Sequence, residues 1–213
     1  MKEKICYLVG AGESGPLPAL GDGDLLIAVD GGLLTCLREG RAPSLLVGDL
    51  DSLAVPPPAD IPLVRFPVRK DETDTYLAYL EGVKRGYTRF EIYGGLGGRA
   101  DHTVANMQLL YRIASEGRIA ALVGEGVRMV AFSDGAQMLV TVPGQPLGVF
   151  ALSPVCEGVT IAGTAYTLTE GSLQNDFPLG VSNTALGESV TVSVKRGAIL
   201  CVLSAPEREN KKS

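Results

Sequence analysis

Short apolar runs alternate with amphipathic segments over the first ~125 residues. Leucines at 33, 34 and 37, at 77 and 80, and the set Val104, Met107 and Leu110 recur at helical spacing between the runs. Short buried strands separated by helices are typical of a mostly parallel sheet. Residues 1–125 are therefore predicted to form an α/β domain. Its predicted strands are Ile5–Val9, Leu25–Val29, Leu45–Val47, Leu63–Phe66, Phe90–Tyr93 and Ile119–Val123.

Helical periodicity disappears after Gly126. Apolar stretches are now short, and Gly, Pro, Asn and Asp separate them at close intervals, which is typical of an antiparallel β-sandwich or barrel. Residues 126–213 are therefore predicted to form an all-β domain. Its predicted strands are Val127–Phe132, Gln137–Val142, Gly148–Leu152, Gly158–Ala162, Ala165–Thr169, Ser189–Val194 and Ile199–Leu203.

Composition narrows the class of protein. The chain has 213 residues, of which 46% are hydrophobic and 20% charged, with a net charge of −5. These values are ordinary for a globular protein, and the negative charge argues against nucleic acid as the main partner. No apolar run reaches the ~18 residues that span a bilayer, and no signal peptide opens the chain, so a cytoplasmic protein is expected. The cysteines show no CxxC spacing and are predicted to be buried, reduced thiols: Cys6, Cys36, Cys156 and Cys201.

Aspartates are concentrated in three motifs between residues 48 and 102: GDLDS, KDETDT and GGLGGRADH. Carboxylates crowded into one site raise each other's pKa unless a cation neutralises them. Oxygen ligands beside glycines suit Mg²⁺ that holds phosphates. The motifs therefore predict Mg²⁺-dependent chemistry on a phosphorylated substrate. The aspartates concerned are Asp49, Asp51, Asp71, Asp74 and Asp101.

The predicted strands place these motifs at one edge of the sheet. Asp30, Asp49 and the loop 94–101 each directly follow a strand, and ligands of open α/β sheets bind at this edge. The glycines of the loop permit close approach to phosphate, and Arg99 offers a bidentate donor. Asp101 is predicted to cap the next helix. Lys70 is either a phosphate ligand or a solvated side chain.

Two other patterns give weaker evidence of function. GAGESG at residues 10–15 matches the dinucleotide-binding fingerprint, but Pro16 and Pro18 stand where its helix would begin. A tight loop near a nucleotide is the better interpretation. His102 is the only histidine of the chain and lies at a predicted helix start, so a capping or supporting role is favoured over a general base.

The order of the motifs resembles that of the thiamine pyrophosphokinase family over nearly the whole chain. The motifs are DGG at residue 30, GDLDS, KDETDT, GGLGGRADHTVAN and the late GVSN at residue 180. The resemblance implies transfer of the pyrophosphoryl group of ATP to the hydroxyethyl oxygen of thiamine, which gives AMP and thiamine diphosphate.

The resemblance also implies roles for individual residues. Metal ligands, or ligands of the phosphates that the metal bridges, would be Asp49, Asp51, Asp74 and Asp101. Asp30 would line the same site, and Arg99 would hold phosphate. Pyrophosphoryl transfer is mainly positioning and neutralisation of charge, and these groups supply both. The thiamine hydroxyl must lose a proton, and Asp71 is the candidate acceptor.

For the second half of the chain, the resemblance implies a β domain that closes over thiamine in a homodimer with shared sites. Ser182 and Asn183 would then contact thiamine from the partner chain, and Tyr166 would stack on a thiamine ring. Relatives often carry lysine directly before this aromatic residue. This chain has Ala165 there, so the acceptor pocket departs from the pattern.

Three alternative functions use the same residues. Val47–Asp51 resembles the Asp-x-Asp motif of haloacid-dehalogenase-type phosphatases, although that motif normally ends the first strand and two strands precede it here. A pyrophosphokinase acting on another alcohol, such as a pterin, would need the same metal site. A non-catalytic nucleotide-binding module would need binding groups but not the full set of carboxylates.

Overall fold

A computed structural model describes residues 3–50 and 56–206. The chain divides into two compact units. The first unit comprises Met1–Leu110 and Arg118–Glu125, and the second comprises Tyr111–Gly117 and Gly126–Ser213. Residues 111–117 thus group with residues 126–213, whereas the predicted boundary lies between residues 125 and 126; the two functional domains stay a prediction. Among the described residues, no helix is long and apolar enough to cross a membrane.

In the described residues before 126, parallel strands alternate with three helices. Neighbouring strands pair in the order β6-β5-β1-β2-β3-β4, and every pair is parallel, as predicted. The elements are β1 (Ile5–Val9), β2 (Leu25–Val29), α1 (Gly32–Arg38), β3 (Leu45–Gly48), β4 (Leu63–Arg65), α2 (Asp74–Lys84), β5 (Arg89–Tyr93), α3 (Ala100–Ser115) and β6 (Ile119–Gly124).

Burial of the strands explains why their sequences are continuous apolar runs rather than alternating ones. Leu8 and Ile27 are fully buried on the central strands, and the aromatic rings of Tyr79 from α2 and Phe90 from β5 meet edge to face at 4.8 Å. Gly82 lets α2 approach the sheet closely, because a β-carbon there would lie 2.6 Å from the Phe90 ring. This packing holds α2, whose first residue is Asp74, against the sheet.

The second unit is built from antiparallel strands, as predicted. Its strands are β7 (Val127–Val140), β8 (Pro146–Ala151), β9 (Val155–Ala162), β10 (Leu168–Gln174), β11 (Asn183–Thr184) and β12 (Ser189–Ser204). Strand β12 pairs with β7 along one side, and on the other side with β9 first and then with β8. Closure of these strands into a sandwich or barrel stays a prediction.

Two predicted interruptions meet at a single β-bulge between β7 and β12 and are not strand ends. Strand β7 runs through Asp134 and β12 runs through Gly197, where the sequence indicated turns. The register between the two strands shifts at this point, Asp134 and Gly197 have positive φ angles of 44° and 111°, and the Gly197 N–H donates to Asp134 Oδ1 at 2.9 Å. A bulge tolerates the same residues as a turn, so the pattern alone did not distinguish them.

The predicted strand Ala165–Thr169 was misplaced. Most of this segment is a loop, and β10 begins at Leu168. All four cysteines are buried and unpaired by disulfides, as predicted. Burial raises the pKa of the Cys6 and Cys201 thiols to about 12, so these groups are protonated and unreactive at neutral pH.

Candidate active site

Asp30 and Asp49 follow the neighbouring strands β2 and β3, at the carboxyl edge of the parallel sheet. The Asp30 N–H donates to the Val47 carbonyl at 2.9 Å, and its side-chain Oδ1 accepts from the Leu50 N–H at 3.4 Å. A β-carbon on Gly48 would lie 1.8 Å from the same Oδ1. The glycine of GDLDS therefore makes room for the carboxylate of DGG, which explains why the two motifs belong together.

Asp74 joins this edge from the first turn of α2. Thr73 caps the helix, because its hydroxyl accepts from the Tyr76 N–H at 3.2 Å. Lys70 Nζ lies 2.8 Å from Asp74 Oδ1 and 3.5 Å from Asp49 Oδ2. The Lys70 side chain is only 10% exposed. Lys70 is therefore a half-buried counter-ion of two carboxylates and not a fully solvated lysine.

Charge crowding is visible in the pKa of Asp30. Burial is the main cause that raises the pKa of Asp30 to about 7, followed by a hydrogen bond and charge repulsion from Asp74. For Lys70, burial alone would lower the pKa, but the hydrogen bonds and charges of Asp74 and Asp49 hold it above its usual value. The cluster of Asp30, Asp49 and Asp74, called the carboxylate cluster below, thus carries more negative charge than one lysine neutralises.

The donor set of the carboxylate cluster fits a hard divalent cation, because its side chains offer only carboxylate oxygens. In residues 3–50 and 56–206, however, no group of three or more His, Cys, Asp or Glu side chains is already arranged to hold a metal ion. For a cation to bind, Lys70 would have to move away from Asp49 and Asp74, and the hydrogen bond between the Asp30 and Asp74 side chains would have to break. Asp51, the other predicted ligand of GDLDS, lies outside the described residues.

Two glycine-rich loops pack against each other beside the cluster. The Gly10 N–H donates to the Tyr93 carbonyl at 2.8 Å, and the Gly12 N–H donates to the Gly94 carbonyl at 3.1 Å. A β-carbon on Gly12 would lie 2.5 Å from the Gly94 oxygen. In the stretch after β1, no helix begins before α1. The glycines of GAGESG therefore serve loop packing, and the dinucleotide fingerprint is rejected as the sequence indicated.

Arg99 and Asp101 form a separate, exposed pair at the start of α3. Arg99 Nη2 donates to Asp101 Oδ2 at 2.6 Å, and both side chains are more than half exposed. Helix α3 begins at Ala100, so Asp101 lies inside its first turn, and its Oδ1 accepts from the His102 N–H at 3.0 Å. The prediction that Asp101 is the cap residue itself is thus wrong. Asp71 is also exposed, three residues before Asp74.

Sequence reasoning missed two side chains beside this edge. Thr35 and Arg38 lie one turn apart on α1, and together with Ala11 and Gly31 they line a cavity of 660 Å³. Arg38 Nη2 donates to Thr35 Oγ1 at 3.2 Å. The sequence signal for Thr35 and Arg38 was their i, i+3 spacing on a helix that begins within the DGG motif. The leucines of that helix dominated its hydrophobic pattern, so the two polar residues were not singled out.

The predicted thiamine-binding residues meet in the second unit. Tyr166, Ser182 and Asn183 line a cavity of 490 Å³ whose other walls include Ile161 and Leu173. The Tyr166 side chain is 73% exposed, whereas Asn183 is buried. Ser182 has a φ of 59°, in the left-handed region. Residues far apart in sequence therefore converge on one largely apolar pocket, called the second-unit pocket below.

Asn183 has tasks within the protein that its sequence context did not indicate. Its Oδ1 accepts from the Tyr166 N–H at 3.0 Å and from the Thr184 N–H at 2.9 Å. Its Nδ2 donates to the Tyr166 carbonyl at 2.6 Å, and Thr164 Oγ1 donates to the same carbonyl at 2.9 Å. Ala165, at the position where the family pattern departs, is exposed, and its N–H donates to the Thr184 carbonyl at 2.9 Å.

Both halves of the chain match models of known families. Residues 19–122 match the model of the thiamin pyrophosphokinase catalytic domain, and residues 139–199 match that of the thiamin pyrophosphokinase vitamin B1 binding domain. The thiamine pyrophosphokinase of Bacillus subtilis (strain 168) is 26% identical over 211 residues, covering 94% of this chain and 99% of the relative.

Solved structures agree with this assignment. The crystal structure of thiamin pyrophosphokinase from Geobacillus thermodenitrificans superposes with a TM-score of 0.80 at 26% identity, covering 95% of this chain and 98% of that one. That of thiamine pyrophosphokinase from Bacillus subtilis has a TM-score of 0.81 at 24% identity and shows the shared fold, covering 95% and 99%. With two consecutive family models and a full-length relative in agreement, the chain belongs to the thiamin pyrophosphokinase family.

Proposed function

We propose that the protein transfers the β,γ-pyrophosphoryl group of ATP to the hydroxyethyl oxygen of thiamine, giving thiamine diphosphate and AMP. Family membership supports the reaction, and the observation in the structure that carries it is the carboxylate cluster at the carboxyl edge of the parallel sheet. Such an edge is where open α/β sheets bind nucleotides. An excess of carboxylates there is what a metal-bridged triphosphate requires.

The proposed metal ligands are Asp49, Asp51 and Asp74, with Asp101 as a ligand of the metal or of the phosphates that it bridges. Asp30 lines the same site. When bound, Mg²⁺ would neutralise the phosphate oxygens and thereby make the β-phosphorus accessible to a nucleophile. Among this chain's own residues, Gly48 keeps Asp30 against Asp49, and the Thr73 cap fixes the helix turn that presents Asp74.

Two cationic side chains are proposed to hold the phosphates. Arg99 lies on the exposed start of α3, and its pairing with Asp101 is weak enough to be exchanged for phosphate, because exposed ion pairs contribute little free energy. Lys70 is proposed to turn from the carboxylates to the phosphates when a metal replaces its charge. The cavity lined by Thr35 and Arg38 is proposed to receive the nucleoside part of ATP.

Proton transfer completes the chemistry. The thiamine hydroxyl oxygen forms a bond to the β-phosphorus, the bond between that phosphorus and the α,β-bridging oxygen breaks, and AMP leaves. The hydroxyl proton passes to a base, for which we propose Asp71. It lies in KDETDT, close in sequence to Asp74, and its exposure leaves it accessible to the acceptor. An Asp71→Asn variant should lose turnover (kcat) while retaining affinity for ATP; full turnover would contradict the assignment.

The second-unit pocket is the proposed thiamine site. Its apolar walls suit the rings of thiamine, and Tyr166 offers an aromatic face to a cationic ligand. We further propose a homodimer in which the carboxylate cluster of one subunit works with the second-unit pocket of its partner. Ser182 would contact thiamine directly from there.

Incubation of the purified protein with ATP, Mg²⁺ and thiamine, followed by chromatography of nucleotides and thiamine species, tests the reaction. We expect AMP and thiamine diphosphate in equal amounts, dependence on Mg²⁺, and loss of both products in Asp74→Asn. Lys84→Met, which removes an exposed charge elsewhere on α2, is the control and should retain activity. Formation of ADP or free phosphate in place of AMP would contradict the proposal.

A further inference from the structure

Tyr166 combines an exposed side chain with a fixed backbone. Its side chain is 73% exposed at the edge of the second-unit pocket. An aromatic side chain in water gains little from packing, so its direction depends on the chain that carries it. Here both backbone polar groups of Tyr166 are bonded to side chains: the N–H donates to Asn183, and the carbonyl accepts from Asn183 and Thr164.

The two side chains that hold Tyr166 are themselves buried and attached to paired strands. Thr164 is 1% exposed and Asn183 is 6% exposed. Thr164 forms an isolated antiparallel bridge with Ala185, and Asn183 lies on β11, which pairs with β8. The Leu186 N–H donates to the Gly163 carbonyl at 2.9 Å, which ties the two segments together once more. The loop that carries Tyr166 is therefore anchored to the folded strands on both sides of the residue.

The amide of Asn183 is committed to this anchoring. Its oxygen accepts from two backbone N–H groups and its nitrogen donates to the Tyr166 carbonyl. An amide has two acceptor sites and two donor hydrogens, so one N–H remains beyond the bonds described here. The side chain cannot turn toward a ligand without releasing the backbone of Tyr166.

We infer that Asn183 and Thr164 are positioning residues for the acceptor: together they form a brace that holds the backbone of Tyr166. These bonds, rather than a contact made by the remaining N–H of Asn183, are how Asn183 affects thiamine. The inference rests on the proposed function of the pocket. A preorganised aromatic side chain binds with less loss of conformational entropy than a mobile one. The brace should therefore lower the KM for thiamine and leave the KM for ATP unchanged.

A tryptophan reporter tests the brace without reference to activity. The chain contains no tryptophan, so Tyr166→Trp creates a single fluorophore at this site. Adding Thr164→Val or Asn183→Ala to Tyr166→Trp should shorten the rotational correlation time seen in anisotropy decay. Thr141→Val is the matched control, because Thr141 is a buried threonine of the same unit whose hydroxyl donates to the Gly187 carbonyl at 2.7 Å. It should leave the decay unchanged.

A double-mutant cycle on thiamine kinetics tests how Asn183 acts. We expect Asn183→Ala and Thr164→Val each to raise the KM for thiamine about five- to tenfold in the unmodified background, and to have no further effect when combined with Tyr166→Ala. Thr164→Val changes only a hydroxyl and preserves the shape of the side chain, so it carries the test even if Asn183→Ala misfolds.

The possible results separate the two proposals. Additive effects of Asn183→Ala and Tyr166→Ala would overturn the inference, because Asn183 would then contact thiamine itself. An unchanged anisotropy decay in an active protein would also overturn it. Failure of the unmodified protein to convert thiamine, with the decay responding as expected, would instead contradict the proposed function and with it the acceptor role of the brace.

Discussion

Gly48 shows how a single residue shapes the carboxylate cluster. The space that a side chain would fill at this position is occupied by the Asp30 carboxylate, 1.8 Å from where a β-carbon would lie. The same carboxylate accepts the Leu50 N–H, so the turn after β3 and the aspartate after β2 define each other's position. A glycine between two acidic motifs is therefore part of the site, although it has no chemistry of its own.

Gly48→Ala should consequently disrupt the site. The added methyl group overlaps with Asp30, which must move, and we expect a loss of about 2–4 kcal/mol in the free energy of unfolding, together with loss of activity. Urea unfolding followed by circular dichroism measures the change. Gly187→Ala is the control, because a β-carbon there would meet no atom within 4 Å. Equal stability of the two variants would contradict the role assigned to Gly48.

Lys70 gives a second residue-level prediction. Lys70→Met keeps the apolar part of the side chain and removes the charge that neutralises Asp49 and Asp74. Without divalent cations we expect a loss of about 1–3 kcal/mol in stability, because two partly buried carboxylates lose their counter-ion. Mg²⁺ should raise the melting temperature of Lys70→Met more than that of the unmodified protein, since the cation no longer competes with the lysine.

Thermal unfolding with and without Mg²⁺ measures both effects. Lys195→Met is the control: Lys195 pairs with Glu170 and both side chains are more than half exposed, so its removal should change stability by less than about 1 kcal/mol and should not alter the Mg²⁺ response. An identical Mg²⁺ response in Lys70→Met and the unmodified protein would show that the lysine does not compete with the metal.

At the scale of elements, α2 contains an ionic network that makes its stability depend on pH. Glu81 is buried, and its carboxylate accepts from Lys84 at 2.6 Å and from Arg85 at 2.6 Å. The hydrogen bonds from Lys84 and then from Arg85 lower the pKa of Glu81 below its usual value. A carboxyl whose pKa is lowered on folding stabilises the protein above its unfolded pKa and loses this contribution as the pH falls through the folded value.

Glu81→Gln should therefore be less stable than the unmodified protein at pH 7, by about 1–3 kcal/mol, and the difference should narrow as the pH falls below about 4.5. Urea unfolding at pH 7 and at several lower pH values measures the difference. Glu157→Gln, which breaks an exposed ion pair with Arg196, should differ little in stability from the unmodified protein at pH 7 or at the lowest pH. A Glu81→Gln difference that does not vary with pH would contradict the ionic origin of the effect.

Elements also show what the sequence could and could not predict. Apolar runs such as Ile5–Val9 and Leu25–Val29 were predicted correctly as strands, because burial in a parallel sheet depends on local residue types. The bulge at Asp134 and Gly197 was not, because only the pairing of β7 with β12 distinguishes it from a turn. The ion pairs of Lys70 and the hydrogen bonds of Asn183 were missed for the same reason: both depend on residues brought close by the fold.

At the scale of the whole molecule, the proposed chemistry divides between the two units. The carboxylate cluster lies in the first unit, and the second-unit pocket with Tyr166 and Asn183 lies in the second. The proposed homodimer joins the cluster of one subunit to the pocket of its partner. A substitution that damages one unit of a chain therefore inactivates one shared site. The undamaged unit of that chain can still form an active site with the undamaged unit of its partner.

Mixed dimers of Asp74→Asn and Tyr166→Ala should therefore show more activity than the average of the two variants measured alone. If subunits combine at random, about half of the dimers are mixed, and each has one intact site of two, so about a quarter of the unmodified activity should return. The assay needs thiamine well below the raised KM of Tyr166→Ala, and a size measurement to show that mixed dimers have formed.

Asp74→Asn mixed with Asp49→Asn is the control, since both substitutions lie in the carboxylate cluster and no site is restored. Mixed dimers without recovered activity would mean that each chain completes its own site, because only sharing between subunits brings the undamaged cluster to the undamaged pocket.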